Sequence, residues 1–287
     1  MGFLDAACRE PRAWDLTGKV LANQPISGGL WRLDLALPHE VPCAPGQFAM
    51  LHPYERTQLV FRRPYSILAA QDATMSFLYR VVGRGSSLLA GLSQGEPVAC
   101  LAPLGRPFPA PDAQTPAVLL LAGGVGLPPL HAWLERYGRP GDLPCFGGRD
   151  GGDVPWPLLP PPWHVAVERL SGVPSDREVF QGLVTDLALR QLAAAAAREY
   201  LVLACGPMPL LRAAAALAAA RGWPCLVSVE EHMGCGYGVC KGCVVPLRDP
   251  ASPAGWRNVN TCTDGPVFAA GDLDWDRFGS RQGGGAS

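Results

Sequence analysis

Four cysteines near the end of the chain have a spacing that suits an iron–sulfur cluster. Cys235, Cys240, Cys243 and Cys262 follow the pattern C-x4-C-x2-C-x18-C, and the first three match a loop that wraps a [2Fe–2S] cluster. Such a cluster needs four thiolates, two for each iron. The glycines among these cysteines let the backbone approach the inorganic sulfides and expose N–H groups to the anionic cluster. We predict that the four cysteines bind it.

Other interpretations of this loop stay open at this point. A structural zinc ion also takes four thiolates, although zinc sites favour paired C-x2-C knuckles and Cys240 with Cys243 is the one such pair. The protein would then be a non-enzymatic zinc-binding or redox-sensing module. A Rieske-type centre needs two histidine ligands; the spacing does not fit one and four cysteines suffice, so the neighbouring His232 is expected at the surface or at an interface.

A second group of residues has the types that bind a flavin. In Arg63-Pro64-Tyr65-Ser66, the arginine can pair with a phosphate, the tyrosine can lie against an aromatic ring and the serine can hydrogen-bond a flavin edge. Gly83-Arg84-Gly85-Ser86-Ser87 then opens a helix, and the free N–H groups of a helix start suit a pyrophosphate. An Arg-Pro pair is common by itself, but the two stretches together predict an FAD site.

Two strand–turn–helix junctions further on could bind a dinucleotide. Gly123-Gly124-Val125-Gly126 follows one apolar strand, and Cys205-Gly206-Pro207-Met208 follows another. In open α/β sheets, ligands bind at the carboxyl ends of strands. The full G-x-G-x-x-G fingerprint is absent, so a turn without a ligand remains the alternative. We predict NAD binding, with Cys205 and Gly206 at the nicotinamide, and no certain catalytic acid or base.

The elements that hold these residues change character along the chain. Six short β-rich runs separated by turn residues predict a small antiparallel barrel: Lys19–Ala22, Leu30–Leu37, Gln47–His52, Ser66–Ala69, Met75–Val82 and Pro97–Leu101. After a Pro-rich stretch at 103–115, strands alternate with helices, which predicts a parallel α/β sheet. The helices are expected at Pro128–Tyr137, Asp186–Arg198 and Pro209–Arg221.

These changes predict a multi-domain chain. An antiparallel β-barrel FAD-binding domain takes residues 10–112, an α/β parallel-sheet nucleotide-binding domain takes 113–229, and a small C-terminal [2Fe–2S] module takes 230–270. The Gly/Ser/Gln-rich end suggests that 271–287 is a disordered tail. We expect Phe268 to pack the end of the module onto the barrel.

Composition narrows the classes of partner. The chain has 24 basic and 25 acidic residues and no long basic stretch, which argues against nucleic acid. The first twelve residues lack the apolar segment of a signal peptide, and the apolar run 213–220 is too short to span a bilayer. The other six cysteines are scattered, as reduced core thiols are. We therefore expect a cytoplasmic protein without a membrane partner.

The order of these motifs resembles that of the ferredoxin–NADP reductase-like flavoproteins. More narrowly, the chain is similar to the electron-transfer subunit of the heterodimeric, NAD-dependent dihydroorotate dehydrogenases. The resemblance runs from about Thr17 to Phe268 and is most specific at Met233–Cys240 and at the C-x-D-G-P-V-F ending. It implies that the family's flavin-binding positions and cluster ligands fall on the following residues: Arg63, Pro64, Tyr65, Ser66, Leu78, Tyr79, Arg80, Gly85 and Ser86 for FAD, and Cys235, Cys240, Cys243 and Cys262 for the cluster.

The resemblance also implies an activity and a partner. In such complexes, which serve pyrimidine biosynthesis, a separate FMN-containing catalytic subunit oxidises dihydroorotate. Electrons then pass through [2Fe–2S] and FAD to NAD⁺, in a heterotetramer with two of each chain. A reductase subunit of a hydrogenase, sulfur reductase or oxygenase is the alternative, although segment 230–270 is too short for the ferredoxin domain of the oxygenase type. Arg149 beside Asp150 leaves NAD versus NADP open.

Overall fold

The N-terminal third of the protein is a closed barrel of six antiparallel strands. The structure is a computed structural model that describes residues 13–53, 61–195 and 199–282. Around the barrel the strands run in the order β1-β2-β5-β4-β3-β6. Their bounds are β1 Trp14–Ser27, β2 Leu30–Ala36, β3 Phe48–Pro53, β4 Arg63–Gln71, β5 Thr74–Arg80 and β6 Pro97–Leu104, with helix α1 at Arg84–Ala90. The six predicted strands and the predicted helix are all present.

Strand alternation fills the barrel with apolar side chains. Leu33 and Leu35 of β2 point inward with Phe77 of β5, and all three are fully buried. On β3, Ala49 and Leu51 join this core, whereas Phe48 and Met50 belong to a separate cluster outside it. The strand therefore presents one face to the barrel interior and the other to a different part of the molecule.

The second unit is a seven-stranded sheet with helices packed against it. Its strands run in the order β10-β9-β8-β7-β11-β12-β15, parallel except for the last pair. The remaining elements of the chain are β7 Ala117–Gly123, α2 Leu127–Tyr137, β8 Leu143–Gly148, β9 His164–Val167, β10 Phe180–Gln181, α3 Val184–Ala194, β11 Tyr200–Cys205, α4 Met208–Ala219, β12 Cys225–Ser228, β13 Val244–Arg248, β14 Trp256–Asn260, α5 Thr261–Asp264, β15 Val267–Ala269 and α6 Trp275–Gln282. The three predicted helices lie close to their predicted positions, and residues 196–198 of the second prediction lie outside the described residues.

Apolar contacts join the barrel to this sheet. Leu68 and Leu78 of the barrel share a buried apolar cluster with three residues of helix α2, Leu127, Leu130 and Trp133. The Trp133 indole N–H also donates to the carbonyl of Pro109 at 2.9 Å. Helix α2 therefore holds the two units together. Within the described residues, no helix is both long and apolar enough to cross a membrane.

The C-terminal segment corrects two predictions. Phe268 lies on β15, which adds an antiparallel edge strand to β12, and its side chain joins the core of the sheet rather than the barrel. The neighbouring Val267 faces the other way: a Cβ built on Gly46, in the loop before β3, would lie 3.2 Å from it. Since successive strand residues point to opposite faces, only one of the two can face the barrel.

The predicted disorder of 271–287 is wrong for residues 271–282. Leu273 and Phe278 are buried in the core of the sheet, and the Trp275 indole N–H donates to the carbonyl of Ala270 at 2.9 Å. These apolar residues anchor helix α6 despite the polar residues around them. Residues 283–287 lie outside the described residues.

Candidate cluster, flavin and nucleotide sites

The four predicted cluster ligands form two pairs, with Cys235, Cys240 and Cys243 in the loop between β12 and β13 and Cys262 on the short helix α5. Cys235 and Cys240 form an outer pair, in which Cys240 is exposed and its backbone N–H lies 3.4 Å from the Cys235 sulfur. Cys243 and Cys262 form an inner pair, 1% and 2% exposed, joined by a hydrogen bond between their thiols. No three or more His, Cys, Asp or Glu side chains of the described chain gather around a common point.

Hydrogen bonds favour the thiolate form of one cysteine in each pair. Burial raises the pKa of Cys235, but N–H groups of Cys240, Tyr237 and Val239 and the Cys240 thiol lower it to about 7. The thiol of Cys262 donates to Cys243 and, against burial, lowers the pKa of Cys243 to about 6. The same bond raises the pKa of Cys262, because deprotonation would break it. Thiolates are the metal-binding form of cysteine, and two pairs suit a cluster with two thiolates per iron.

The loop around the outer pair adopts a conformation that depends on glycine. Gly236 and Gly238 have φ values of 85° and 86°, a region that side chains with a Cβ rarely adopt. A Cβ on Gly236 would lie 2.5 Å from Cγ of Met50, and one on Gly238 would lie 2.8 Å from Cγ2 of Thr263. The Gly238 N–H also interacts with the Cys262 sulfur and favours its thiolate. This cradle of backbone N–H groups fits an anionic cluster.

The predicted flavin residues occupy β4, β5 and the start of α1. On β4, Tyr65 contacts Tyr79 edge-on with ring centroids 5.8 Å apart, and the Tyr79 hydroxyl donates to Asn23 at 2.9 Å. At the helix start, Ser86 Oγ accepts hydrogen bonds from the N–H groups of Val82 at 2.9 Å and Gly83 at 3.1 Å. Leu78 and Tyr79 are buried, so their side chains serve packing, whereas Pro64, Tyr65 and Ser66 are partly exposed. Their assignment to FAD stays a prediction.

Arg80 makes contacts between the barrel and the sheet that the sequence did not indicate. Its guanidinium donates to the carbonyl of Gly28 at 2.7 Å and to the carboxylate of Asp153 at 3.0 Å. Asp153 belongs to the second unit, follows β8 and also accepts a hydrogen bond from Arg149 at 2.7 Å. Arg80 therefore ties the barrel to the sheet. Asp153 was missed because no sequence signal links it with a residue 73 positions earlier.

The two predicted nucleotide-binding turns meet at a switch in strand order. The chain runs from β7 outward through β8, β9 and β10 and then returns to β11 on the other side of β7. A Cβ on Gly126 would lie 2.3 Å from the carbonyl oxygen of Cys205, and one on Gly206 would lie 3.1 Å from the backbone of Gly123. Switch points at the carboxyl ends of strands form ligand crevices. The geometry thus brings Gly123–Gly126 and Cys205–Met208 together, and their assignment to NAD stays a prediction.

Strand β3 connects the cluster loop with the flavin motif. Phe48 and Met50 pack in one buried cluster with Cys243 and Cys262. In the pairing of β3 with β4, Phe48 lies opposite Ser66 and Met50 lies opposite Pro64. Sequence reasoning missed Phe48 and Met50, because alternation shows that they share a face but does not show what that face contacts.

Solved structures with the same architecture define the class of fold. The NADH-dependent reduced ferredoxin-NADP oxidoreductase, from work on flavin-based electron bifurcation, superimposes with a TM-score of 0.73 at 22% identity and covers 92% of both chains. A ferredoxin NADP⁺ reductase from Neisseria gonorrhoeae with bound FAD and NADP gives a TM-score of 0.60 at 18% identity, over 72% of this chain and 91% of that one. The fold is that of the ferredoxin reductase-like flavoproteins, as predicted.

Sequence relatives narrow the class to one family. Residues 230–274 match the iron-sulfur cluster binding domain of dihydroorotate dehydrogenase B. A dihydroorotate dehydrogenase B (NAD(+)) electron transfer subunit homolog of Aquifex aeolicus is 31% identical over 88% of this chain and 96% of its own length. The electron transfer subunit of Geobacillus kaustophilus is 34% identical over 80% and 86%. The chain belongs to the family of dihydroorotate dehydrogenase B electron transfer subunits, which confirms the predicted family.

Proposed function

We propose that this protein is the NAD-linked electron-transfer subunit of a dihydroorotate dehydrogenase. It accepts electrons from an FMN-containing catalytic subunit and delivers them to NAD⁺, with [2Fe–2S] and FAD as its resident cofactors. When bound, FAD supplies the conversion between one-electron transfer with the cluster and hydride transfer with NAD⁺. The family membership supports the identity of the reaction, and the arrangement of the chain around β3 supports the electron route.

The observation that carries the proposal is the position of β3 between two sets of residues. Its Phe48 and Met50 contact the inner cysteines, and its pairing partner is the Arg63–Ser66 stretch of β4. Neighbouring strands lie about 4.8 Å apart. Cys243 and Cys262 would therefore hold the inner side of the cluster one strand away from the residues that would hold the flavin.

The hydride end of the route lies at the switch point of the sheet. Gly123, Gly126 and Gly206 bring the two turns together, and the side chain of Leu210 packs against Gly123 and Gly206. Cys205 is buried, and burial raises its thiol pKa to about 12. The Cys205 thiol therefore stays protonated and lines the crevice at this switch point, and it does not act as a nucleophile. These residues would bind and orient NAD⁺, and no acid or base is needed for hydride transfer.

The outer side of the cluster loop is the proposed contact with the catalytic subunit. Tyr237 is 55% exposed and Val239 is 72% exposed, and both lie between Cys235 and the exposed Cys240. Exposed apolar groups beside an electron carrier suit a protein interface. We propose two copies of each chain in the complex.

The experiment that tests this function compares the purified chain with and without its partner. Alone, after anaerobic purification, it should contain about two iron and two sulfide per chain, release FAD on acid treatment and oxidise NADH with an artificial acceptor. It should form orotate from dihydroorotate only when the FMN-containing subunit is added. Orotate formation by the chain alone, release of FMN instead of FAD, or a colourless zinc protein would contradict the proposal.

A further inference from the structure

Two buried polar side chains next to Cys262 have no hydrogen-bond partner among the described residues. They are Asn260, through its amide nitrogen Nδ2, and Thr261, through its hydroxyl Oγ1. The remaining atom of this kind in the described part of the chain is Nδ1 of His131 on helix α2. Thr261 is completely buried and Asn260 is 8% exposed. A donor buried without a partner destabilises a protein, so its presence indicates an acceptor that the protein atoms do not supply.

Both residues are close to the inner cysteines, Cys243 and Cys262, in the sequence or in strand pairing. Thr261 directly precedes Cys262, and its backbone N–H donates to the carbonyl of Cys243 at 2.7 Å. In the hairpin of β13 and β14, Asn260 lies opposite Val244, the residue after Cys243. The backbone that carries the two donors is therefore tied directly to the backbone of Cys243 and Cys262.

We propose that the Thr261 hydroxyl donates a hydrogen bond to a sulfur of the bound cluster, with the Asn260 amide as a second donor. This hydrogen bond raises the reduction potential of the cluster. This inference rests on the proposed role of Cys243 and Cys262 as ligands. Reduction adds one electron to the cluster, forms or breaks no covalent bond and leaves the proton on Oγ1. The added negative charge strengthens a hydrogen bond in a buried setting, so the donor stabilises the reduced form more than the oxidised form.

The test is a redox titration of the full chain loaded with cluster and flavin. Thr261→Val removes the hydroxyl and keeps the shape, and the EPR signal of its reduced cluster should appear at a more negative potential. Thr261→Ser keeps the hydroxyl and should titrate like the wild type. Thr263→Val is the matched control, because Thr263 also neighbours Cys262 in the sequence, on the other side from Thr261. Thr263 is exposed, and its hydroxyl lies 3.4 Å from the carboxylate of Asp264. Iron, sulfide and flavin contents are measured in each variant.

Each outcome separates this inference from the proposed function. An unchanged potential in Thr261→Val with a complete cluster overturns the inference. If Thr261→Val does not assemble a cluster, Thr261→Ala should show the same negative shift of the potential. An unchanged potential in Thr261→Ala also overturns the inference. A crystal structure of the loaded wild type with Thr261 Oγ1 beyond hydrogen-bonding distance of every cluster or cysteine sulfur also overturns it. A wild-type chain that binds no [2Fe–2S] cluster at these cysteines would overturn the proposed function instead.

Discussion

Individual residues of the cluster loop are held by contacts that leave no room for a larger side chain. Gly236 combines a φ of 85° with a close approach to Met50 of β3. The same glycine thus shapes the loop and brings the loop onto the strand that carries the proposed electron route. Cys235 and Cys240 stay near the surface, while Cys243 and Cys262 are buried against that strand.

Replacing Gly236 should therefore impair cluster binding. Gly236→Ala adds a Cβ 2.5 Å from Met50 Cγ, and we expect a loss of about 2–4 kcal/mol from overpacking and backbone strain together. Iron and sulfide content and Tm should both fall. Gly255→Ala is the control, since Gly255 has a φ of 73° but open space around it, and it should cost only about 1–2 kcal/mol. Equal effects of the two variants would show that the Met50 contact is unimportant.

Strand β4 and helix α1 form the element pair that the flavin assignment depends on. Arg63 is exposed at the start of β4 and donates to the carbonyl oxygens of Phe61 at 2.9 Å and Arg62 at 3.3 Å. The neighbouring Arg62 instead pairs with the carboxylate of Asp15 at 2.8 Å. The two adjacent arginines thus have different surroundings, which allows one to serve as the control for the other.

Arg63→Ala should lower the FAD content of the purified protein, because a phosphate would lose its charged partner. The measurement is the flavin released per chain by acid, together with the FAD dissociation constant of the reconstituted apoprotein. Arg62→Ala removes a surface ion pair, which contributes little to stability, and should keep full flavin content. An undiminished FAD affinity in Arg63→Ala would remove this residue from the proposed site.

The two large units of the molecule are linked by the buried carboxylate of Asp153. Burial acts to raise the pKa of Asp153, but its hydrogen bonds and the charges of Arg149 and Arg80 lower it below the ordinary value. A carboxyl group with a lowered pKa in the folded state stabilises the protein above its unfolded pKa of about 3.9. That contribution is lost as the pH falls through the folded-state pKa.

Asp153→Asn should consequently lower Tm near neutral pH, and its difference from the wild type should shrink as the pH drops below about 4. Thermal unfolding at a series of pH values checks this. Asp150→Asn is the comparison, since Asp150 pairs with the largely exposed Arg169 at 2.7 Å and such surface pairs contribute little. A difference between wild type and Asp153→Asn that stays constant down to pH 2 would contradict the linkage.

Assembly of the complex should depend on the exposed apolar groups of the cluster loop. Tyr237→Glu places a charge there and spares all four cysteines, so the visible spectrum and NADH oxidation with an artificial acceptor should stay nearly unchanged. Association with the catalytic subunit and electron transfer from dihydroorotate to NAD⁺ should both weaken. Leu170→Glu is the matched control, because Leu170 is 53% exposed but lies after β9. Unaltered co-purification and overall rate in Tyr237→Glu would place the interface elsewhere.

The amino-acid sequence by itself determined the motifs and the secondary-structure elements of this protein. The spacing of Cys235, Cys240 and Cys243, the alternation in the barrel strands and the apolar strands before the glycine turns depend on residues close together in the chain. These signals predicted the six strands of the barrel and the helices of the α/β unit, and the order of the motifs carried the resemblance to the family. They also placed Gly123–Gly126 and Cys205–Met208 after strands, although not next to each other.

Only the tertiary structure decided which distant residues meet. The contact of Met50 with the cluster loop, the link between Arg80 and Asp153 and the burial of Phe268 in the sheet each join residues far apart in sequence. Strand periodicity assigns side chains to two faces but does not state what packs on either face. The burial of Phe278 similarly overrides the polar composition around it, because a few apolar contacts are enough to anchor a helix.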